Sequence, residues 1–182
     1  MELDNAITNR RSIRKFKSDS LTKDQIKQIL DAGNKAPSAK NDQHWRFHVF
    51  QGKAKEKFTK FCQEEFMKKA ESPDVHPFAK HSFEIMVQAP VVIVIFNAHM
   101  MPHPAKPDIQ SVSAAIQNML LKAYDIGLGS LWICDILYVE KEVNEYLETE
   151  MQLVASIAIG HPASDPRDVR KLTVEDVTTW HE

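Results

Sequence analysis

The sequence is poor in the residues that announce most chemistries. Cys62 and Cys134 are its only cysteines among 182 residues. Two are too few for a disulfide framework, so a reducing cytosol is the simpler compartment. Long apolar runs are also missing. The longest, residues 89–96, is interrupted by Pro90 and falls far short of the roughly 20 residues a membrane helix needs. The start, Met1-Glu2-Leu3-Asp4-Asn5, lacks the basic-then-apolar pattern of a signal peptide. A soluble, cytoplasmic protein is the expectation. Charge of one sign is not in excess, since the formal balance is −2, which argues against nucleic acid or another polyanion as partner. There is no Gly-Lys-Ser/Thr phosphate loop and no Gly-x-Ser-x-Gly elbow. Gly127-Leu128-Gly129 fails as a dinucleotide fingerprint, because Trp132 stands at the third glycine position and a helix precedes the pair where the motif needs a strand. His99 and His103 are four apart, but Pro102 between them spoils the helix that would align them. No metal site is expected.

What the chain does have is a run of fixed positive charge. Residues 10–14 read Arg-Arg-Ser-Ile-Arg, three guanidiniums and a hydroxyl that suit a phosphate or another delocalised anion. A solvated basic patch is the plainer alternative. Two features favour a specific site: a short helix precedes the run, and Ser12 lies among the arginines. Arg167, Arg170 and Lys171 add a second basic cluster near the C-terminus.

The length fits a single domain over residues 1–182, and no repeat or linker divides it. Leu3, Ala6 and Ile7 give a short helix one apolar face. Thr22 and Gln25 form a capping box with Leu21 and Ile26 as its hydrophobic staple, so a helix starts at Lys23. It ends before Pro37. Residues 37–43 form a polar loop, and Trp45, Phe47 and Val49 alternate as in a strand with one buried face. Phe58, Phe61, Cys62 and Phe66 are the inner face of a helix over 53–69. Residues 72–80 and 97–108, both proline-bearing, are irregular loops. The β-branched run 91–96 predicts a central strand covered on both faces. Residues 112–126 form a long apolar helix stopped by Gly127. A second buried strand over 128–136 would include Cys134 as a packed small apolar residue rather than a nucleophile. A short helix over 139–148 and a strand over 153–159, closed by Gly160, complete the core. The tail beyond Pro162 has little core of its own. Anion clamps without an acid, base or nucleophile constellation suggest a borrowed cofactor.

Taken together, Arg10-Arg11-Ser12-Ile13-Arg14-Lys15-Phe16, Ala36-Pro37-Ser38-Ala39-Lys40-Asn41-Asp42-Gln43-His44-Trp45, Gly127-Leu128-Gly129-Ser130-Leu131-Trp132-Ile133 and Arg170-Lys171-Leu172 resemble the FMN-dependent nitroreductase family in order and spacing. The resemblance covers nearly the whole chain. It implies an α+β fold, a mostly antiparallel central sheet flanked by helices, with the C-terminal segment reaching onto the partner of a homodimer. Two FMN sites would lie at the subunit interface.

Carried over residue by residue, Arg10, Ser12 and Arg170 would bind the FMN phosphate and ribityl chain, with Arg11 close by. Arg14 matches the basic position near N1 and O2 of the flavin, where positive charge favours accepting hydride. Pro37, Ser38 and Asn41 match the loop that the second subunit lays against the flavin. Trp132, Ile133, Cys134 and Asp135 match the stretch whose backbone approaches N5. His44 departs from a common proline, and Cys134 and Asp135 stand where small residues are frequent. The implied activity is a ping-pong cycle: NADH or NADPH gives a hydride to FMN, and an electron-poor acceptor such as a nitroaromatic or quinone then takes it. Reductive dehalogenation, flavin storage without useful turnover, and a cofactor-free interaction module are the rival readings.

Overall fold

The computed structural model describes residues 3–164, 166 and 172–181. Its centre is β2 (Val91–Asn97), buried at every position. Alternate side chains of this strand feed two separate cores. Val91, Ile93 and Ile95 pack with Ile26 and Ile29 of α2 (Lys23–Asn34) and with Val112, Ile116 and Met119 of α5 (Pro107–Asp125). Val92, Val94 and Phe96 pack on the other face with α3 (Gly52–Met67) and α4 (Ala79–Gln88). A run that is apolar at both parities has to be covered on both faces. The result is helices on each side of one sheet.

That sheet has the order β1-β2-β4-β3, with every neighbouring pair antiparallel. β4 spans Gln152–Gly160 and β3 Gly129–Ile133. β1 (Trp45–Gln51) is an edge strand. Its alternation differs from the expected single buried face: Trp45 and Phe47 lie on one core and Phe50 on the other, while Val49 is exposed. The two cores reach the edge strand from both sides.

Local signals set several boundaries. The Thr22 hydroxyl accepts from the Gln25 N–H, and the Gln25 side chain accepts from the Thr22 N–H, completing the capping box of α2. Gly33 lets α2 approach α5, since a Cβ there would stand 2.7 Å from the Met119 side chain. Gly127 ends the α5 segment at φ +78, a conformation that favours glycine. α1 (Leu3–Asn9) buries Ala6 but leaves Leu3 and Ile7 exposed. α4 starts inside the stretch expected to be an irregular loop. The strand expected over 128–136 stops at Ile133 and gives way to a 3-10 turn, Asp135–Val139, followed by α6 (Glu140–Tyr146). No helix among the described residues is long and apolar enough to cross a membrane.

Candidate functional site

The arginine run leaves α1 and lies along the free edge of β3. Ser12 bridges Ser130 in parallel, and the Ile13 N–H donates to the Ser130 carbonyl at 3.0 Å. Further on, the Lys17 N–H donates to the His161 carbonyl at 2.8 Å and the Ala163 N–H to the Lys15 carbonyl at 3.0 Å. The segment is therefore strapped to the sheet at both ends. Gly129 is needed for this approach, because a Cβ there would meet Ile13 side-chain atoms at 2.7–2.9 Å. Gly160 similarly admits Phe16 and Pro90.

The strap covers only the start of the edge. Peptide groups of alternate residues point outward from an edge strand, so those of Ser130 and Trp132 share a direction and the Cys134 N–H continues it. Ser130 is paired with Ile13. Among the described residues, no backbone hydrogen bond engages the outward Trp132 peptide or the Cys134 N–H. The four steps from Ser130 to Cys134 span about 13 Å at strand rise, room for a phosphoribityl chain to run beside the strand. At the Ser130 end two concavities flank the arginines. One of about 480 Å³ is lined by Arg10, Ser12, Arg14, Lys15 and Ser164. The other, about 360 Å³, lies between Arg10, Arg11, Tyr124 and Gly129. Donors of fixed charge at one end and unpaired strand amides at the other are the set that a phosphate joined to a flat heteroaromatic ring would use.

The arginines do not all have the same task. Arg11 donates to the Thr8 carbonyl at 2.6 Å and to the Arg10 carbonyl at 2.9 Å, which caps the end of α1. Arg14 is exposed and among the described residues holds a long 3.4 Å contact to the Ser12 carbonyl. Arg170 lies outside the described residues.

Beyond β3 the structure corrects one expectation. Cys134 is exposed rather than packed in a strand, since the chain turns at φ −89, ψ −19 and the Leu137 N–H donates back to the Cys134 carbonyl. Partial burial, followed by the adjacent Asp135 carboxylate, pushes its thiol above the ordinary value. Exposure and raised pKa are compatible, because a side chain can reach solvent while its sulfur remains partly desolvated. The thiol is therefore protonated near neutrality and is a weak nucleophile. Asp135 itself accepts a short hydrogen bond from the Ser82 hydroxyl of α4, a tie the sequence did not signal. The Trp132 indole N–H is buried without a hydrogen-bond partner among the described residues.

Pro37, Ser38 and Asn41 stand elsewhere. Their loop carries a 3-10 turn, Ala39–Asn41, with Lys40, Asn41 and Gln43 at φ of 54, 59 and 50. Such left-handed non-glycine residues persist where surrounding bonds determine them. Here the Ser38 hydroxyl accepts from the Gln43 N–H at 3.0 Å, and the Ser111 hydroxyl accepts from the Ala39 N–H at 3.0 Å. His44, next in the chain, is buried with neither ring nitrogen hydrogen-bonded; the Asp42 carboxylate is 3.9 Å away. This loop enters β1, whereas the arginine strap lies on β3. The two strands are opposite edges of the sheet, about 14 Å apart at the usual strand spacing. One copy of the chain does not bring the two halves of the expected site together.

Comparison with known proteins identifies the family. The Nitroreductase family model matches residues 7–161. A Methanothermobacter thermautotrophicus protein, described as an NADH dehydrogenase/NAD(P)H nitroreductase, is 32% identical over 132 residues, 72% of this chain. The chain spans 60% of that relative's length. The iodotyrosine deiodinase of Thermotoga neapolitana is 26% identical over 175 residues, covering 87% of each chain. Among solved structures, a Desulfovibrio desulfuricans protein described as a nitroreductase in complex with FMN superposes with a TM-score of 0.80 at 26% identity, covering 100% of this chain and 98% of its own. With a matching model over most of its length, an arginine strap on an open sheet edge and an α+β fold shared from end to end, this chain belongs to the nitroreductase family.

Proposed function

We propose that the protein is an FMN-dependent NAD(P)H oxidoreductase acting as a homodimer on nitroaromatics, quinones or similar electron-poor acceptors. The observation that carries this reading is the half-covered β3 edge, with guanidiniums at one end and unpaired amides at the other. Bound FMN would supply hydride transfer, from NADH or NADPH and on to the acceptor. The chain's own residues bind and orient. Arg10 and Ser12, with Arg170, would hold the phosphate; Arg14 would place positive charge beside the pyrimidine side of the ring; the Cys134 N–H, at the end of Trp132-Ile133-Cys134, would donate toward N5. The high thiol pKa keeps negative charge off Cys134 near neutrality.

The homodimer rests on two features. Pro37, Ser38 and Asn41 stand at the opposite sheet edge from Arg10, so a second copy must supply them. The tail leaves Leu172, Val174, Val177 and Trp180 exposed, Trp180 at 83%, which is apolar area seeking a surface. The cycle would be ping-pong, the nicotinamide leaving before the acceptor takes its place.

The test is an anaerobic absorbance spectrum of purified protein reconstituted with FMN, before and after NADH or NADPH. Bleaching within seconds, reversed by a quinone, is expected. Bands that persist would leave a flavin-binding role only, and a failure to retain FMN would overturn the reading. The Thermotoga neapolitana relative favours one second reading, reductive dehalogenation. Halide release from a halogenated phenol, faster than quinone reduction, would establish that alternative.

A further inference from the structure

The loop carrying Ser38 and Asn41 and the loop of residues 98–106 come from different parts of the chain, yet both are fastened to the first turn of α5. Asp108, 3% exposed, is the anchor of one. Its Oδ2 accepts from the Asn97 side-chain amide at 2.7 Å and from the Met101 N–H at 3.1 Å. Asn97, at the end of β2, also donates to the Gln152 side chain at 3.1 Å and accepts from the His99 N–H at 3.3 Å. The first half of the loop is therefore tied, at His99 and at Met101. Ser111, one helical turn on and 5% exposed, anchors the other loop by accepting the Ala39 N–H. Its hydroxyl proton is committed to the Pro107 carbonyl at 2.6 Å, which aims a lone pair at Ala39.

These bonds make two groups, one of Gln152, Asn97 and Asp108 and one of the Pro107 carbonyl, Ser111 and Ala39, that meet at the Pro107-Asp108 peptide. Pro107 and Asp108 share the first turn of α5, so fraying of that turn when Asp108 loses its bonds would loosen the carbonyl that orients Ser111. A carboxylate at the start of a 19-residue helix is favoured by the exposed N–H groups there. The donors outweigh burial, which alone would raise the pKa, and hold Asp108 below the usual carboxylate range. Its Oδ1 is buried without a partner.

We infer that Asp108 and Ser111 are positioning residues that hold the 38–43 and 98–106 loops as one unit, and thereby set the geometry with which Ser38 and Asn41 meet a ligand. The coupling stands on the bonds above. Its consequence for flavin rests on the proposed function.

Amide hydrogen exchange of the cofactor-free protein tests the coupling alone. In Asp108→Ala, exchange should rise about tenfold at Met101, as expected for the loss of one hydrogen bond, and should rise at Ala39 as well. Ser111→Ala should free Ala39 to a similar extent, and Ser111→Thr, which keeps the hydroxyl, should restore it. Exchange at Ala39 that is unchanged in Asp108→Ala, with Met101 freed, would overturn the inference by showing two independent loops. FMN titration is the second readout. Ser111→Ala should weaken FMN about fivefold to tenfold, with recovery in Ser111→Thr and an unchanged thermal midpoint in the threonine variant. Equal FMN affinity in the alanine variant would overturn the positioning role while leaving the flavin reading intact. Wild-type protein that binds no FMN would instead sink the flavin reading and leave the exchange result to judge the coupling.

Discussion

β2 and β3 belong to one sheet with only β4 between them, and they differ in what they leave undone. β2 is hydrogen-bonded along both edges and buried on both faces. β3 is bonded to β4 on one side, while among the described residues its other side is paired at its start alone, by the strap that carries Arg10 and Ser12. The contrast separates two uses of the same backbone chemistry. A strand with every group satisfied contributes cohesion; a strand with a few amides unpaired, held still by its neighbour, offers a ligand something to bind.

The largest test of that contrast is Ile93→Ala in β2. It removes a fully buried side chain and should cost about 2–5 kcal/mol of unfolding free energy, measured by urea titration, while the folded fraction keeps its FMN affinity. On β3, Gly129→Ala should act in the opposite sense. The new methyl meets Ile13 at 2.7 Å and pushes the strap outward, an overpacking cost of about 1–3 kcal/mol, with a loss of FMN affinity larger than the loss of stability. If the two variants lowered stability and flavin affinity in the same proportion, the division of labour would be wrong. Arg10→Ala should weaken FMN by about 1.5–3 kcal/mol, the range for hydrogen bonds to charged groups, read from a fluorescence titration. Thr22→Ala, far from the edge, should cost about 1 kcal/mol of stability through the lost cap of α2 and leave flavin binding alone. The smallest effect is at Cys134. Alkylation by iodoacetamide should accelerate only above the ordinary thiol range, because burial and then Asp135 raise the pKa. Asp135→Asn removes the repulsion and should move that profile to lower pH.

Much of the cohesive half was legible in the sequence. The capping box of α2 is a matter of residues three apart, and the β-branched run of β2 has only one comfortable environment. The sheet order was not, because pairings such as Val91 with Ile159 join distant parts of the chain and leave no local mark. α4 was half hidden behind Pro73 and Pro77, and its N-cap, Phe78, offers no side-chain bond that could announce a start. Cys134 was misplaced for a similar reason. Residues 128–136 are nearly all apolar, and nothing in that composition marks where extended backbone turns to 3-10 geometry. The arginine run was legible as charge and as a family motif, but its position on β3 depends on the gap at Gly129, which emerges only in three dimensions. Asp108 and Ser111 gave no signal at all; their importance lies in partners up to 72 positions away.

The most direct measurement is an amide-resolved NMR titration of the apo protein with FMN. The account predicts the largest shifts at Ser12, Trp132 and Cys134, with Val94 in β2 unmoved. Shifts that spare the β3 edge, or that centre on another surface, would contradict it.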